Sequence, residues 1–273
     1  YINNYRDEIL EFGFLSHFYA YVMEALCDIG ELELVKQAMD KLSVILDEKG
    51  YIPAFKNVEW VCSTGMFQLA ITWYKLGDIE RGNKALAYAA KLQNETGGWF
   101  GSYAVSDNPK PTNKKEYPDY IPDGEISWAV KYYLDAVFYK NRLEFDIQAN
   151  RFSSSISKND GRYQIVLNEI KSVLKPNKKI IDVGCGKGRF LTNLLEDVKD
   201  SQLYAVDISD KVMGQLSEKI VKKNGMLTQI PYADNTFDIT YAVESLEHAI
   251  FPENGIKEML RVTKDGGKII VVD

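Results

Sequence analysis

The first 140 residues carry apolar side chains at helical spacing. Over 9–29 the apolar residues recur at steps of three and four, and Gly30 ends this segment. The same spacing returns four more times before residue 140. The pattern therefore predicts an all-α N-terminal region, with helices at 9–29, 32–46, 65–76, 79–92 and 126–139.

These helices form an internal repeat. Residues 27–31 match residues 74–78 at an offset of 47, and Gly50-Tyr51 matches Gly98-Trp99 at an offset of 48. Each repeat unit holds two helices joined by a short loop. The repeat predicts two helical hairpins followed by the first helix of a third.

The loop at 92–102 resembles the glutamine–tryptophan repeat of α/α toroids, such as terpene cyclases and protein prenyltransferases. This resemblance implies an α/α-toroid-like fragment, because a closed toroid of that type needs about twelve helices. No aspartate-rich cyclisation motif accompanies the repeat, so cyclase and prenyltransferase chemistry is not expected. Two roles stay open for the helical region: a structural cap or dimerisation surface, and a substrate-binding module.

The pattern changes after Pro176, where strands begin to alternate with helices of 8–14 residues. Such alternation indicates a parallel sheet with right-handed crossovers. A short strand is also considered at 226–228. The predicted strands are 179–183, 203–206, 237–243 and 268–272, and the predicted helices are 188–195, 211–222 and 253–262.

Between these regions the helical period is lost. Three consecutive serines at 153–155 indicate a linker over 141–160, and a helix predicted at 162–174 follows it. The chain is therefore predicted to be multidomain. It would have an α-helical hairpin domain at 1–140, the linker, and an α/β Rossmann-like domain at 161–273.

The clearest chemical signal is a glycine-rich turn that follows the first apolar strand of the α/β region. Gly184, Gly186 and Gly188 allow a sharp turn and a close approach of the backbone to a ligand. Asp182 stands two residues before the turn. Asp207 ends the next strand, 19 residues after the last glycine, near the distance at which nucleotide-binding folds place a carboxylate on ribose hydroxyls.

The region 160–273 resembles the class I S-adenosylmethionine-dependent methyltransferases. Residues 182–188 look like their first motif, and Asp207 looks like their ribose-binding acid. Residues 230–238 resemble the family's "LPF…FD" run, and residues 244–248 resemble the stretch after its fourth strand. Residues 258–267 resemble its "RVLKPGG" turn. The resemblance implies S-adenosylmethionine as the cofactor, methyl transfer by in-line displacement, and no metal.

The resemblance also implies site residues. The family often has an acidic residue for the adenine amino group, and Met226 stands there in this chain. Either backbone groups of Met226 and Leu227, together with packing, hold the base, or the cofactor affinity is lower than is usual in the family. Cys185 lies within the glycine turn, where a small filling residue is favoured over a nucleophile. The expected cofactor-binding residues are Asp182, Gly184, Cys185, Gly186, Gly188, Asp207, Ile208, Met226, Leu227 and Glu244.

Two residues after the fourth strand are candidates for catalysis. His248 is a candidate general base because an unperturbed imidazole titrates near neutral pH, although a packing or capping histidine is the alternative. Glu244 is a second candidate, and it also fits a position along the methionine end of the cofactor. Both follow the carboxyl end of a strand, where open α/β sheets bind ligands.

The family's sheet has seven strands, and the predicted strands here end with the fifth. The last antiparallel pair is therefore expected to be missing, which would expose one sheet edge. Either the native chain is longer or a partner covers that edge. A homodimer through the helical domain or through this sheet edge is considered.

Composition limits the partners. The net charge is −6, with 15 basic and 22 acidic residues in 1–150 against 18 and 17 in 151–273, so a duplex nucleic acid is not expected. Three dispersed cysteines favour a reducing, cytoplasmic compartment, and no apolar run is long enough for a membrane span.

Bacterial enzymes of this general kind act on sugars, lipid-linked intermediates or natural products, so the resemblance implies a small-molecule acceptor. A protein or RNA methyltransferase is the first alternative to this function. A non-catalytic scaffold with a relic cofactor site is the second.

Overall fold

A computed structural model describes residues 2–112, 120–249 and 251–272. The chain divides into two compact units, Tyr1–Glu144 and Phe145–Asp273. In the part of the chain that the structure describes, no helix has both the length and the apolar content needed to cross a bilayer.

The N-terminal unit is helical, as its sequence predicts, with one short antiparallel pair of strands. The helix predicted at 9–29 is divided at Gly13, since glycine disfavours a helix interior. Its helices are α1 (Arg6–Leu10), α2 (Ser16–Asp28), α3 (Leu32–Lys49), α4 (Ser63–Lys75), α5 (Ile79–Ala90) and α6 (Ser127–Gln148), and its strands are β1 (Trp60–Cys62) and β2 (Ser102–Ala104).

The hairpins pack through close helix contacts and buried aromatic rings. Helices α2 and α4 approach at Gly65, where an added Cβ would lie 2.2 Å from Ser16 Oγ and 2.8 Å from the backbone nitrogen of His17. Trp99 packs against Phe67, with ring centroids 5.1 Å apart, and its indole N–H donates to the Ala89 carbonyl. These hairpins fit the predicted repeat, while the toroid resemblance stays a hypothesis.

Helix α6 is longer than the sequence predicts. It continues past 139 to Gln148, so the first eight residues of the predicted linker at 141–160 are helical. The serines at 153–155 lie outside helices and strands. The residues 141–148 include Arg, Leu, Glu and Gln, which favour a helix, and this local preference outweighs the loss of regular apolar spacing.

The C-terminal unit is a parallel sheet with helices between its strands. The spatial order is β5-β4-β3-β6-β7, and every neighbouring pair is parallel. Its elements are α7 (Gly161–Val173), β3 (Lys179–Val183), α8 (Arg189–Asp197), β4 (Gln202–Asp207), α9 (Asp210–Met213), β5 (Val221–Asn224), β6 (Phe237–Val243), α10 (Pro252–Val262) and β7 (Thr263–Val272).

Apolar side chains cover both faces of this sheet, as expected for parallel strands. Ile180 of β3 belongs to one buried cluster with Leu191 and Ile239, and Ile181 belongs to another on the opposite face with Phe237. Successive side chains of β3 therefore enter the core on opposite faces, and its pairing with both β4 and β6 places the strand at the centre of the sheet. Its carboxyl end leads directly into the glycine turn.

The sequence prediction was wrong between residues 211 and 228. Helix α9 ends at Met213 instead of 222, and β5 occupies Val221–Asn224. The segment 226–228 forms no strand, and Met226 makes only an isolated bridge to Gln229. Strand β5 is an edge strand, and its Lys222 and Lys223 are exposed. It therefore lacks the apolar alternation by which strands are recognised.

Candidate functional site

Three strand ends converge on the site. β3 pairs with β4 on one side and with β6 on the other, all in parallel, so their carboxyl ends share one edge of the sheet. The glycine turn follows β3, Asp207 ends β4, and Glu244 follows β6. Such an edge is where open α/β sheets bind ligands.

The three glycines of the turn all have positive φ, at 75°, 53° and 71°, a region that only glycine enters without strain. An added Cβ on Gly184 would lie 2.5 Å from Ser245 Cβ, and one on Gly188 would lie 2.1 Å from Leu216 Cδ2. A Cβ on Gly186 would meet no atom within 4 Å. Gly184 and Gly188 therefore leave room for the side chains of Ser245 and Leu216, whereas Gly186 borders open space that could accept a ligand.

Asp207 is bound to the glycine turn. Its Oδ2 accepts a hydrogen bond from the Gly186 backbone N–H at 2.9 Å, and its Oδ1 accepts one from Ser209 N–H at 3.0 Å. Burial raises the pKa of this carboxyl, and the backbone N–H donors oppose the shift. Each carboxylate oxygen can accept more than one hydrogen bond, so hydroxyl groups of a ligand could bind beside the turn.

Asp182 lies beneath the turn. Its side chain is 4% exposed, and its Oδ2 accepts a hydrogen bond from the Tyr241 hydroxyl at 2.8 Å. Burial raises the pKa of this carboxyl to about 7. Direct contact between Asp182 and a cofactor remains a prediction, since its observed partner is a core tyrosine.

Cys185 is buried within the turn, and burial raises the pKa of its thiol. A thiol with a raised pKa is a poor nucleophile at neutral pH. Cys185 therefore fits the filling role that the sequence favours.

On the side of β5, two loops approach Asp207. The Gly225 N–H donates to the Asp207 carbonyl at 3.0 Å, and Asn224 Nδ2 donates to the Ile208 carbonyl at 2.6 Å. Leu227 Cδ2 lies 3.0 Å from the position of an added Cβ on Gly184. The structure thus brings Ile208 and Leu227, with the adjoining Met226, to the same edge as the turn.

Glu244 lies between two arginines. Arg162 Nη1 donates to its Oε1 and Arg189 Nη2 donates to its Oε2. Hydrogen bonds from these two guanidinium groups lower the pKa of the Glu244 carboxyl. Glu244 also has a φ of 49°, which is uncommon for a residue other than glycine.

His248 ends a short 3₁₀ turn, Leu246–His248, that follows β6. Half of its side chain is exposed, and its ring lies edge-on to that of Phe145 with centroids 5.8 Å apart. Its Nε2 is 3.9 Å from Glu247 Oε1. The position is open to solvent near the site, and the general-base role stays a prediction.

Sequence reasoning missed four residues beside the site: Arg162, Arg189 as a partner of Glu244, Asn224 and Asp146. Asp146 accepts a hydrogen bond from Ser209 Oγ, which lies two residues after Asp207. The motif spacing contains no signal for these contacts, because Arg162 and Glu244 are separated by 82 residues and Asp146 and Ser209 by 63. Within the described residues, no cluster of three or more His, Cys, Asp or Glu side chains is arranged for a metal ion.

Part of the C-terminal unit is similar to known proteins. Residues 181–271 match the profile of the methyltransferase domain. The chain is 34% identical over 114 residues to an uncharacterized protein of Methanocaldococcus jannaschii, covering 40% of this chain and 48% of that protein. It is 32% identical over 103 residues to the sterol 24-C-methyltransferase of Schizosaccharomyces pombe, covering 34% and 27%.

A third relative is the demethylmenaquinone methyltransferase of Bacillus mycoides, 31% identical over 109 residues and covering 37% of this chain and 46% of that protein. The chain thus spans less than half the length of these relatives. Among solved structures, the YcgJ protein of Bacillus subtilis is similar at 19% identity and a TM-score of 0.37, covering 41% of this chain and 49% of that protein.

Proposed function

We propose that the chain, whose residues 181–271 match a methyltransferase domain, transfers a methyl group from S-adenosylmethionine to a small-molecule acceptor. The observation that carries the proposal is the pairing of an open glycine turn with a half-buried carboxylate, that of Asp207. Gly186 borders free space, and its N–H holds the Asp207 carboxylate in place. That arrangement fits a nucleoside whose ribose hydroxyls need acceptors.

Each part of the site has a proposed task. Asp207 accepts hydrogen bonds from the ribose hydroxyls, and Ile208, Met226 and Leu227 surround the adenine. Glu244 lies toward the methionine end. When bound, S-adenosylmethionine supplies the electrophilic methyl group, so the protein contributes binding and alignment.

His248 is the proposed base for an acceptor that must lose a proton. It follows β6 at the carboxyl edge of the sheet, and half of its side chain is open to solvent. An imidazole in that position could reach an entering hydroxyl or amine. His248→Gln should then slow turnover and leave the affinity for the cofactor unchanged. A histidine that only packs against its neighbours would not give a loss confined to turnover.

The small-molecule acceptor is supported by the relatives' names. These names refer to methyltransferases of a sterol and of demethylmenaquinone, and a further relative is the norajmaline N-methyltransferase of Rauvolfia serpentina. The acidic excess of the N-terminal part disfavours RNA, whose phosphates need basic partners. A protein acceptor and a non-catalytic scaffold are the competing functions.

The test is release of S-adenosylhomocysteine in the presence of acceptor panels. Quinones, sterols, amines and nucleotide sugars form one panel, and unfolded protein and total RNA form another. The proposal expects turnover with a member of the first panel and its loss in Asp207→Ala. Lys178→Gln is the matched control, because Lys178 pairs with Asp238 at the opposite ends of β3 and β6. Turnover with the second panel only would contradict the proposed acceptor class, and cofactor binding without any turnover would favour the scaffold.

A further inference from the structure

Helix α2 is apolar on two faces. One face carries Tyr19, Met23 and Leu26, which are buried in the core of the N-terminal unit. The other face is exposed and forms a stripe that extends one or two residues beyond each end of the helix. This α2 stripe consists of Phe14, Phe18, Tyr21, Val22, Ala25 and Ile29. At about 100° per residue its six positions span about 100° of the helix surface, the width by which a helix normally packs against a core.

The neighbouring helix α3 has the surface expected of a helix in contact with water. Its exposed positions are mostly charged, among them Glu33, Lys36 and Asp40, and Val44 is an exposed apolar residue among them. Single exposed apolar residues are ordinary on a protein surface, whereas a contiguous apolar patch marks an interaction site. The α2 stripe is therefore a candidate interaction surface.

The internal repeat shows how the same face is used one hairpin later. At the offset of 47, Phe18 corresponds to Gly65 of α4. A Cβ added to Gly65 would lie 2.2 Å from Ser16 Oγ, so this face of α4 is in close contact with α2. The positions of α4 that correspond to the middle of the stripe are all buried, namely 65, 68, 69 and 72. In α2 the Phe18 ring replaces the glycine, so a partner has to offer space opposite that ring.

The charges beside the stripe narrow the kind of partner. Helix α2 contains no lysine or arginine, and Lys75 of the same chain lies 3.7 Å from Glu24 and 2.6 Å from Asp28. A membrane surface is disfavoured, because helices that lie on anionic lipid carry basic residues beside the apolar face. A small ligand is disfavoured, because an exposed helix face is convex and ligand sites are concave. An apolar protein surface is favoured.

A second copy of α2 meets these requirements. When two copies lie antiparallel about a two-fold axis between residues 21 and 22, Phe18 of each copy faces Ala25 of the other. The small Ala25 side chain leaves the space that the Phe18 ring needs. The other stripe positions pair in the same way, 14 with 29 and 21 with 22. Because Lys75 already pairs with both acids of each helix, the contact brings no unpaired like charges together.

We propose that the α2 stripe is the interface of a homodimer in which α2 packs antiparallel against α2 of a second copy. Phe14 and Phe18 are each 54% exposed, and Tyr21 is 44% exposed. Since a whole aromatic side chain buries roughly 150–250 Å², the stripe offers roughly 300–500 Å² per chain. A standard interface takes about 800 Å² from each partner, so we expect a weak dimer with a Kd on the order of micromolar.

The test is sedimentation velocity of the whole chain from about 1 to about 200 µM, a range around the expected Kd. The wild type should pass from monomer to dimer across it. Phe18→Glu should weaken the dimer at least about 100-fold, because a two-fold pair buries the unpaired carboxylate twice. Val44→Glu is the matched control on α3 and should leave the dimer unchanged. Both positions are exposed, and tryptophan fluorescence of this unit checks that each variant is folded.

Two charged variants test the register of the pair. Chains with Phe18→Glu and Ala25→Glu, and chains with Phe18→Lys and Ala25→Lys, should each be monomeric because like charges oppose one another. An equal mixture should form heterodimers, since every glutamate then faces a lysine. This recovery on mixing also shows that the variants are folded.

Four results would overturn the proposal. They are a wild type that stays monomeric throughout the range, a dimer that Phe18→Glu leaves intact, equal weakening by Val44→Glu, and no recovery when the charged chains are mixed. A monomeric chain that sediments with vesicles of anionic lipid would make the stripe a membrane contact instead. None of these measurements depends on methyl transfer, so the dimer and the proposed function stand or fall separately.

Discussion

Replacing Gly188 by alanine should destabilise the C-terminal unit strongly. The residue has a φ of 71°, and holding alanine there costs about 1–2 kcal/mol. The new Cβ would lie 2.1 Å from Leu216 Cδ2, and Leu216 is itself buried. Overpacking of this kind adds about 1–3 kcal/mol, so the free energy of unfolding should fall by about 2–5 kcal/mol.

Gly186→Ala is the matched control. Its φ of 53° carries the same conformational cost of about 1–2 kcal/mol, but the added Cβ meets no atom within 4 Å. The methyl group would instead enter the space proposed for the cofactor. This variant should be only mildly destabilised and should bind S-adenosylmethionine at least about tenfold more weakly.

The assay is urea unfolding followed by far-UV circular dichroism and tryptophan fluorescence. All four tryptophans lie in the N-terminal unit, so fluorescence follows that unit while circular dichroism follows both units. Adding Leu216→Ala to Gly188→Ala should remove the clash, giving a cost smaller than the sum of the single costs. Equal destabilisation by Gly186→Ala and Gly188→Ala, or simple additivity with Leu216→Ala, would refute the reasoning.

Two further predictions concern stability. Burial raises the folded-state pKa of Asp182 to about 7, so the folded chain binds this proton more tightly than the unfolded chain does. The free energy of unfolding should therefore fall as pH rises from about 4 to about 7. Asp182→Asn should remove that contribution, and parallel urea midpoints of wild type and variant across this range would contradict the assignment. Gly65→Ala should lower the stability of the N-terminal unit by about 1–3 kcal/mol or more, because the Cβ would lie 2.8 Å from the backbone nitrogen of His17. Tryptophan fluorescence should report the loss, with Gly161→Ala as a control at a glycine that has open space around it, and equal midpoints for the two variants would contradict it.

The sequence predicts the centre of the sheet better than its edge. β3 carries Ile180, Ile181 and Val183 directly before the glycines, and this local pattern is enough to identify it. β5 carries Lys222 and Lys223 on an edge strand, where only one neighbour and partial burial are needed, so its pattern resembles a loop. The helix predicted across 211–222 fails for a different reason: Val212, Leu216 and Ile220 are buried at helical spacing, yet the backbone leaves the helix after Met213, so apolar spacing alone does not show where a helix ends.

In the candidate site, too, the sequence predicts residues that follow one another in a motif but not contacts between residues far apart in the chain. Asp207 and the glycine turn could be predicted because their order and spacing follow from a strand, a turn and the next strand. The contact between Arg162 and Glu244 depends on how α7 meets the loop after β6, which no local pattern encodes. Asp182 was placed in the site by its motif position, whereas its burial beside Tyr241 could be learned only from the packed core.

The central claim is that the edge formed by the glycine turn and Asp207 binds S-adenosylmethionine. Calorimetric titration of the wild-type chain and of Asp207→Ala tests it most directly. We expect saturable binding at one site in the wild type, and a loss of about 1.5–3 kcal/mol in the variant, the range for hydrogen bonds to a charged group. A folded wild-type chain that does not bind S-adenosylmethionine, or a folded variant that binds it with unchanged affinity, would contradict the account.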